Sequence, residues 1–186
     1  TCDDSIISDN LLAVHASVQR CTCPSTIRYE SQQMLILDFP EPDATAVRIG
    51  DLVKFYLEEE AINPKTEDVC KTCGNPMSRQ RKILSWPNVL LVQLKRTGYD
   101  KKRKKAFKIK TEVTVNETRK FAGGSYDLFA VINSVGDTPF SGHYTAFIKN
   151  DDTWFYANDS SITPVTAASF REHFKDVYML FYKKNE

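Results

Sequence analysis

Apolar and polar positions alternate at Leu12, Val14, Ala16 and Val18, the two-residue period of a half-buried strand. A second short extended run follows at Met34, Ile36 and Phe39. Between Ile49 and Glu60 the period changes. Ile49, Leu52, Val53, Tyr56 and Leu57 recur at three and four residues, which predicts an amphipathic helix. Runs rich in Val, Ile, Tyr and Phe then occupy 82–84, 89–95, 106–115, 126–134, 143–149, 154–157 and 177–182. Gly123-Gly124 and Gly136-Asp137 punctuate them as turns. One further helix is expected at about 167–174, capped by Thr166, with Phe170 and Phe174 on one face. The pattern predicts an α+β fold whose C-terminal half is a mostly antiparallel sheet, with no internal repeat.

Composition narrows the function classes. The 186 residues are 41% apolar and 26% charged, enough to bury a core as one domain or one domain with a protrusion. A net charge of +1 provides no long-range field for nucleic acid or an acidic membrane, so neither is an expected partner. The run Lys101-Lys102-Arg103-Lys104-Lys105 reads first as a solvated hairpin tip. No apolar run is long enough to span a bilayer, and Thr1-Cys2-Asp3-Asp4 does not resemble a signal peptide. A soluble intracellular protein is expected.

Four of the five cysteines fall in two close pairs, which favours metal ligation or reduced thiols over a secreted disulfide frame. Cys70-Lys71-Thr72-Cys73-Gly74 has the spacing that lets two thiolates face one ion, with a glycine for the tight turn after it. Cys21-Thr22-Cys23 has a single intervening residue, so its turn must differ. If both pairs bind one zinc, four protein ligands leave no open position and the ion is structural.

A second constellation carries chemistry. Ser141-Gly142-His143-Tyr144 leads one strand, and Asn158-Asp159 close the next aromatic one, fifteen residues past the histidine. A hairpin can therefore set an imidazole beside a side-chain acceptor, Asn158 or Asp159, that fixes its tautomer and orients it as a general base. Gly142 leaves room for a substrate backbone, and Tyr144 and Trp154 are expected substrate contacts.

Taken in order, these segments resemble the catalytic domain of the ubiquitin-specific proteases, thiol-dependent deubiquitinases. The cysteine pairs look like the family's zinc-ribbon fingers, 35–40 like the strand after the first pair, and the helix ending in Glu58-Glu59-Glu60 like the one before the second. Trp86-Pro87-Asn88-Val89-Leu90-Leu91-Val92-Gln93-Leu94-Lys95-Arg96 and Tyr126-Asp127-Leu128-Phe129-Ala130-Val131-Ile132 resemble two palm strands. Ser141 to Phe147 resembles the histidine box, Trp154 to Asp159 the box of the third catalytic residue, and Tyr178 to Tyr182 the closing strand. The resemblance implies a papain-like fold with fingers at 1–82 and palm at 83–186. It also implies His143 as general base, Asn158 as its orienting partner, Asp159 as polar support, zinc on Cys21, Cys23, Cys70 and Cys73, and ubiquitin or a ubiquitinated protein as partner.

The sequence departs from the family in three places. No counterpart of the cysteine box that supplies the nucleophile precedes the fingers; only Thr1-Cys2 hints at one, and Asp3-Asp4 beside it disfavour a thiolate. The expectation is a fingers-and-palm portion whose helical thumb, carrying the nucleophile, lies outside this sequence. Thr97 stands where the family usually has an aromatic residue, and the first cysteine pair is short. A non-enzymatic ubiquitin-binding module of the same shape is the alternative, and a zinc-ribbon nucleic-acid binder is disfavoured by the near-neutral charge.

Overall fold

The computed structural model describes residues 5–23, 26–62, 69–172 and 174–185. In chain order they form α1 (Ile6–Leu11), β1 (Ala13–Arg20), β2 (Thr26–Gln32), β3 (Met34–Leu37), β4 (Ala46–Arg48), α2 (Ile49–Leu57), β5 (Glu59–Ala61) and β6 (Ser78–Ser85). There follow β7 (Val89–Leu94), β8 (Thr97–Asp100), β9 (Lys105–Lys108), β10 (Glu112–Thr114), β11 (Thr118–Phe121) and β12 (Gly124–Val135). The chain closes with β13 (His143–Asn150), β14 (Thr153–Asn158), β15 (Ser161–Val165), α3 (Ala167–Glu172), a 3-10 turn (Phe174–Asp176) and β16 (Val177–Lys184).

Two sheets organise the molecule. A fingers sheet has the order β2-β1-β6-β5, and a palm sheet runs β15-β14-β13-β12-β16-β7-β3, with β11 paired to β12. Among the described residues every palm pairing is antiparallel except β3 on β7. Leu90, Val92 and Leu94 of β7 and Leu35 and Leu37 of β3 are at most 2% exposed, and Ile49 and Leu52 of α2 close over the same core. The expected fold class is the one observed. A single cut at 82 does not separate the two sheets. The chain passes between them three times among the described residues, at Gln33, at Glu58 and again at 86–88, because β3 and α2 belong to the palm core.

Charge sets two element boundaries that periodicity did not show. The helix expected to reach Glu60 stops at Leu57, with Glu58 in an extended conformation. Glu60 instead pairs with Arg79 at 3.0 Å and Arg81 at 2.8 Å across the β5–β6 edge, and Glu59 faces Arg20 at 3.4 Å. The run expected over 106–115 breaks between β9 and β10. There the buried Arg96 guanidinium takes the carbonyls of Ile109 and Thr111, each at 2.9 Å, and that of Val177 through Nε. Burial brings the Arg96 pKa down to about 10, which leaves it charged at neutral pH. The second expected helix is present as α3, with Thr166 Oγ1 accepting from the Ser169 N–H at 3.2 Å.

His15 of β1 joins the fingers to α2. It is 4% exposed, and Nδ1 lies 3.1 Å from the Tyr56 hydroxyl. Burial holds its pKa below the ordinary 6.5, Glu30 opposing and Arg81 adding to the effect. A histidine kept neutral by folding contributes stability that is complete above its unfolded pKa and is lost as pH falls through the lower folded value. The melting temperature is therefore expected to decline as pH drops below about 6.5, and His15→Asn to flatten that decline. An unchanged slope in the variant would assign the acid sensitivity elsewhere.

Candidate active site and cysteine cluster

His143 opens β13 and Asn158 closes β14, so the antiparallel pairing of these strands brings fifteen residues of chain back to one end of the palm. His143 Nε2 lies 2.6 Å from Asn158 Oδ1. With the amide oxygen toward the ring, as it stands here, Nε2 donates and Nδ1 is left with a lone pair; the opposite amide orientation would reverse the two. The imidazole side chain is 47% exposed. Asp159 Oδ2 stands 3.9 Å from Nε2, beyond hydrogen-bond range, on a turn residue with φ of 50°. Of the two acceptors that the sequence offered, Asn158 makes the contact.

The loop before His143 is fixed from within. A Cβ on Gly142 would collide with the Val135 carbonyl oxygen, so the closure of the β12–β13 loop requires a glycine here. Thr138 and Ser141 bond each other across the loop, the Ser141 N–H donating to Thr138 Oγ1 at 3.1 Å. Lys108 reaches over from β9 and donates to the Gly136 carbonyl at 3.0 Å and to that of Ser134. Sequence reading missed Lys108, since a lysine on an alternating hairpin strand looks solvated. A cleft of about 730 Å³ lies between this loop and the β8–β9 hairpin, lined by Arg103, Phe107, Lys108, Asp137 and Phe140.

The remaining expected contacts divide. Tyr144 is 62% exposed beside His143, its ring 6.0 Å from that of Tyr178. Trp154 is 3% exposed, stacks on Phe170 with centroids 4.4 Å apart, and donates its indole N–H to Glu117 at 3.3 Å. Its period-two position on β14 points it into the core, so it packs the sheet and does not line the site.

The other site lies at the far end of the fingers. The sulfurs of Cys21, Cys23, Cys70 and Cys73 all fall within 4.8 Å of one another, with Cys21 and Cys70 3.4 Å apart. Tetrahedral thiolates at a Zn–S distance of about 2.3 Å would stand about 3.8 Å apart, so the donor set fits that ion. The short first pair is accommodated by a Cys23 N–H to Cys21 Sγ contact at 3.2 Å. The second pair makes the expected knuckle, with Gly74 at φ 68° donating to the Cys70 carbonyl at 2.8 Å. The Thr22 hydroxyl and the Asn75 backbone favour the Cys73 thiolate and bring its pKa down to about 6, whereas the neighbouring Cys73 sulfur pushes Cys23 up to about 12. Cys2 lies outside the described residues.

The model of the ubiquitin carboxyl-terminal hydrolase family matches residues 2–182. The chain belongs to that family. Ubiquitin carboxyl-terminal hydrolase 15 of Bos taurus is 28% identical over 162 residues, which cover 81% of this chain and 17% of the relative. Ubiquitin carboxyl-terminal hydrolase 16 of Arabidopsis thaliana is 29% identical over 174 residues, 89% of this chain and 17% of the relative. The chain thus spans less than a fifth of the length of these curated hydrolases. Among solved structures, a chain of the SAGA Ubp8/Sgf11/Sus1/Sgf73 DUB module superposes with a TM-score of 0.78 at 20% identity, over 97% of this chain and 42% of that one. A chain of the yeast SAGA DUBm with a Sgf73 mutant gives 0.82 at 20% identity, over 98% and 43%. At 20% identity, these superpositions show the fold. No described helix is long and apolar enough to cross a membrane.

Proposed function

We propose that this chain is the fingers and palm of a thiol-dependent deubiquitinase, working inside the cell on ubiquitin joined through its C-terminal glycine to another protein. The observation that carries the reading is the 2.6 Å contact between His143 Nε2 and Asn158 Oδ1, which leaves Nδ1 as the base at the end of β13. A segment outside these 186 residues supplies the cysteine nucleophile. Its thiol gives its proton to His143 Nδ1, and the thiolate attacks the glycine carbonyl carbon. The imidazolium then protonates the leaving amine, and His143 takes a proton from the water that hydrolyses the thioester. Asn158 holds the ring in the productive tautomer throughout, with Asp159 as outer polar support. Gly142 shapes the approach by fixing the loop, and Tyr144 flanks the base. Cys21, Cys23, Cys70 and Cys73 would hold a zinc ion, whose role is structural because four protein ligands fill its coordination sphere.

A ubiquitin vinyl-sulfone probe is expected to leave the isolated chain unlabelled and to label the natural assembly that contains it, on a cysteine outside the 186 residues. An adduct on Cys2 of the isolated chain would place the nucleophile within it. Saturable ubiquitin binding with no adduct in either sample would instead mark a binding module.

A further inference from the structure

Three polar side chains form a row across the palm at the end of β13 that carries His143. Asn133 of β12 pairs with Thr145 of β13, and the step beyond the Ala146–Ala157 pair sets Thr145 against Asn158 of β14. Opposed residues share a face of a sheet, as do residues two apart on one strand, so His143, Thr145, Asn133 and Asn158 all lie on the same side. The two inner members are costly where they stand. Asn133 is 0% exposed and Thr145 4%. Among the described residues, neither end of the Asn133 amide nor the Thr145 hydroxyl has a protein hydrogen-bond partner. Buried amides and hydroxyls are ordinarily paired, by protein or by ordered water. A Leu and Val pair of the same shape would fill both positions without that cost.

What the row faces supplies a reason for it. An asparagine amide has an oxygen end and an NH2 end of nearly equal shape. His143 is a base at Nδ1 only while the oxygen end of Asn158 faces Nε2. With the NH2 end turned inward, Nε2 has to accept, and the ring proton moves to Nδ1, where it blocks proton abstraction. The His143–Asn158 contact alone does not choose between these arrangements, since each joins one donor to one acceptor. We propose that Asn133 and Thr145 are positioning residues that set the orientation of the Asn158 amide, by holding an internal water that accepts from Asn158 Nδ2 and keeps Oδ1 toward His143. The consequence for turnover rests on His143 acting as the general base; the geometry does not.

Nitrogen-15 spectra of the histidine-labelled 186-residue chain read the tautomer directly. The parent is expected to show His143 protonated at Nε2. Thr145→Val and Asn133→Leu are expected to raise the Nδ1-protonated form to a comparable population, while Thr145→Ser keeps the hydroxyl and the parent spectrum. Aspartate has two oxygens and no donor end, so in an Asn158→Asp background Thr145→Val is expected to change nothing. An unaltered tautomer in folded Thr145→Val, or a shift that persists with Asn158→Asp, overturns the proposal. Should Thr145→Val not fold, Asn133→Leu against Thr145→Ser decides it. In the assembled enzyme, Thr145→Val is expected to lower kcat about tenfold with KM unchanged, and Asn158→Asp to abolish that difference. If the parent assembly turns nothing over, the deubiquitinase reading fails while the spectra still decide the role of the polar row.

Discussion

His143→Ala is expected to reduce turnover of ubiquitin conjugates by the assembled enzyme on the order of 1,000- to 10,000-fold. The size follows from the position of the ring. It is the one imidazole among the described residues at the open end of β13, and it is held at Nε2 by Asn158. Removing it takes away both the base that makes a thiolate and the acid that releases the amine, leaving whatever the binding surface and oxyanion donors supply. Ubiquitin affinity should change little, because nothing in the fold hangs on a ring that is 47% exposed. Steady-state turnover of a fluorogenic ubiquitin conjugate, with affinity measured in parallel by calorimetry, separates the two. A loss confined to affinity would move His143 from the reaction to the binding surface. Asn158→Ala should be milder than His143→Ala, since the base remains and only its orientation is released.

The second large effect concerns the cysteine cluster. Cys70→Ser, or prolonged chelation of the parent, is expected to abolish zinc content and to melt the distal fingers while the palm stays folded. Structural zinc sites in small finger peptides bind with apparent free energies of about 10–16 kcal/mol, and that energy is folding energy where no independent core exists. Among the described residues no such core is seen at the fingers tip: Cys21, Cys23 and Cys70 are only partly buried, and the neighbouring contacts are polar, through Thr22 and Asn75. The palm, by contrast, rests on Leu37, Val92, Leu94, Val131 and Leu180, none more than 0% exposed. Native mass spectrometry gives the metal count, and hydrogen exchange of β1 and β6 against β7 and β12 localises the loss. Uniform protection in a zinc-free Cys70→Ser protein would show that the cysteines are ordinary thiols.

Much of the palm was legible because its physics is local. Runs of β-branched and aromatic residues mark β12, β13 and β14 regardless of what they pair with, and the Cys-Lys-Thr-Cys-Gly spacing dictates its own turn. His143 and Asn158 were readable as a pair because one hairpin joins them. Readings failed where the deciding partner is distant in sequence. Trp154 looked like a wall of the site until Phe170 and Glu117 claimed both faces of its chemistry. The break at Ile109 to Thr111 depends on a guanidinium thirteen to fifteen residues away, and the parallel pairing of β3 with β7 joins segments with both fingers and helix between them. At Gly142 the atom that excludes a side chain is the Val135 carbonyl oxygen, seven residues back across the loop, which no local pattern displays.

The threefold passage of the chain between the two sheets has a mechanical consequence. A module hung from a single linker pivots freely and can be exchanged by one splice. Here any swing of the fingers must bend the backbone at Gln33, Glu58 and 86–88 together, so the fingers behave as a stiff lever whose load is delivered to β3, α2 and β7 at once. A weight placed on the cysteine-bearing tip is thereby carried into the strands that flank β16 and, through it, β12, whose neighbour β13 holds the histidine.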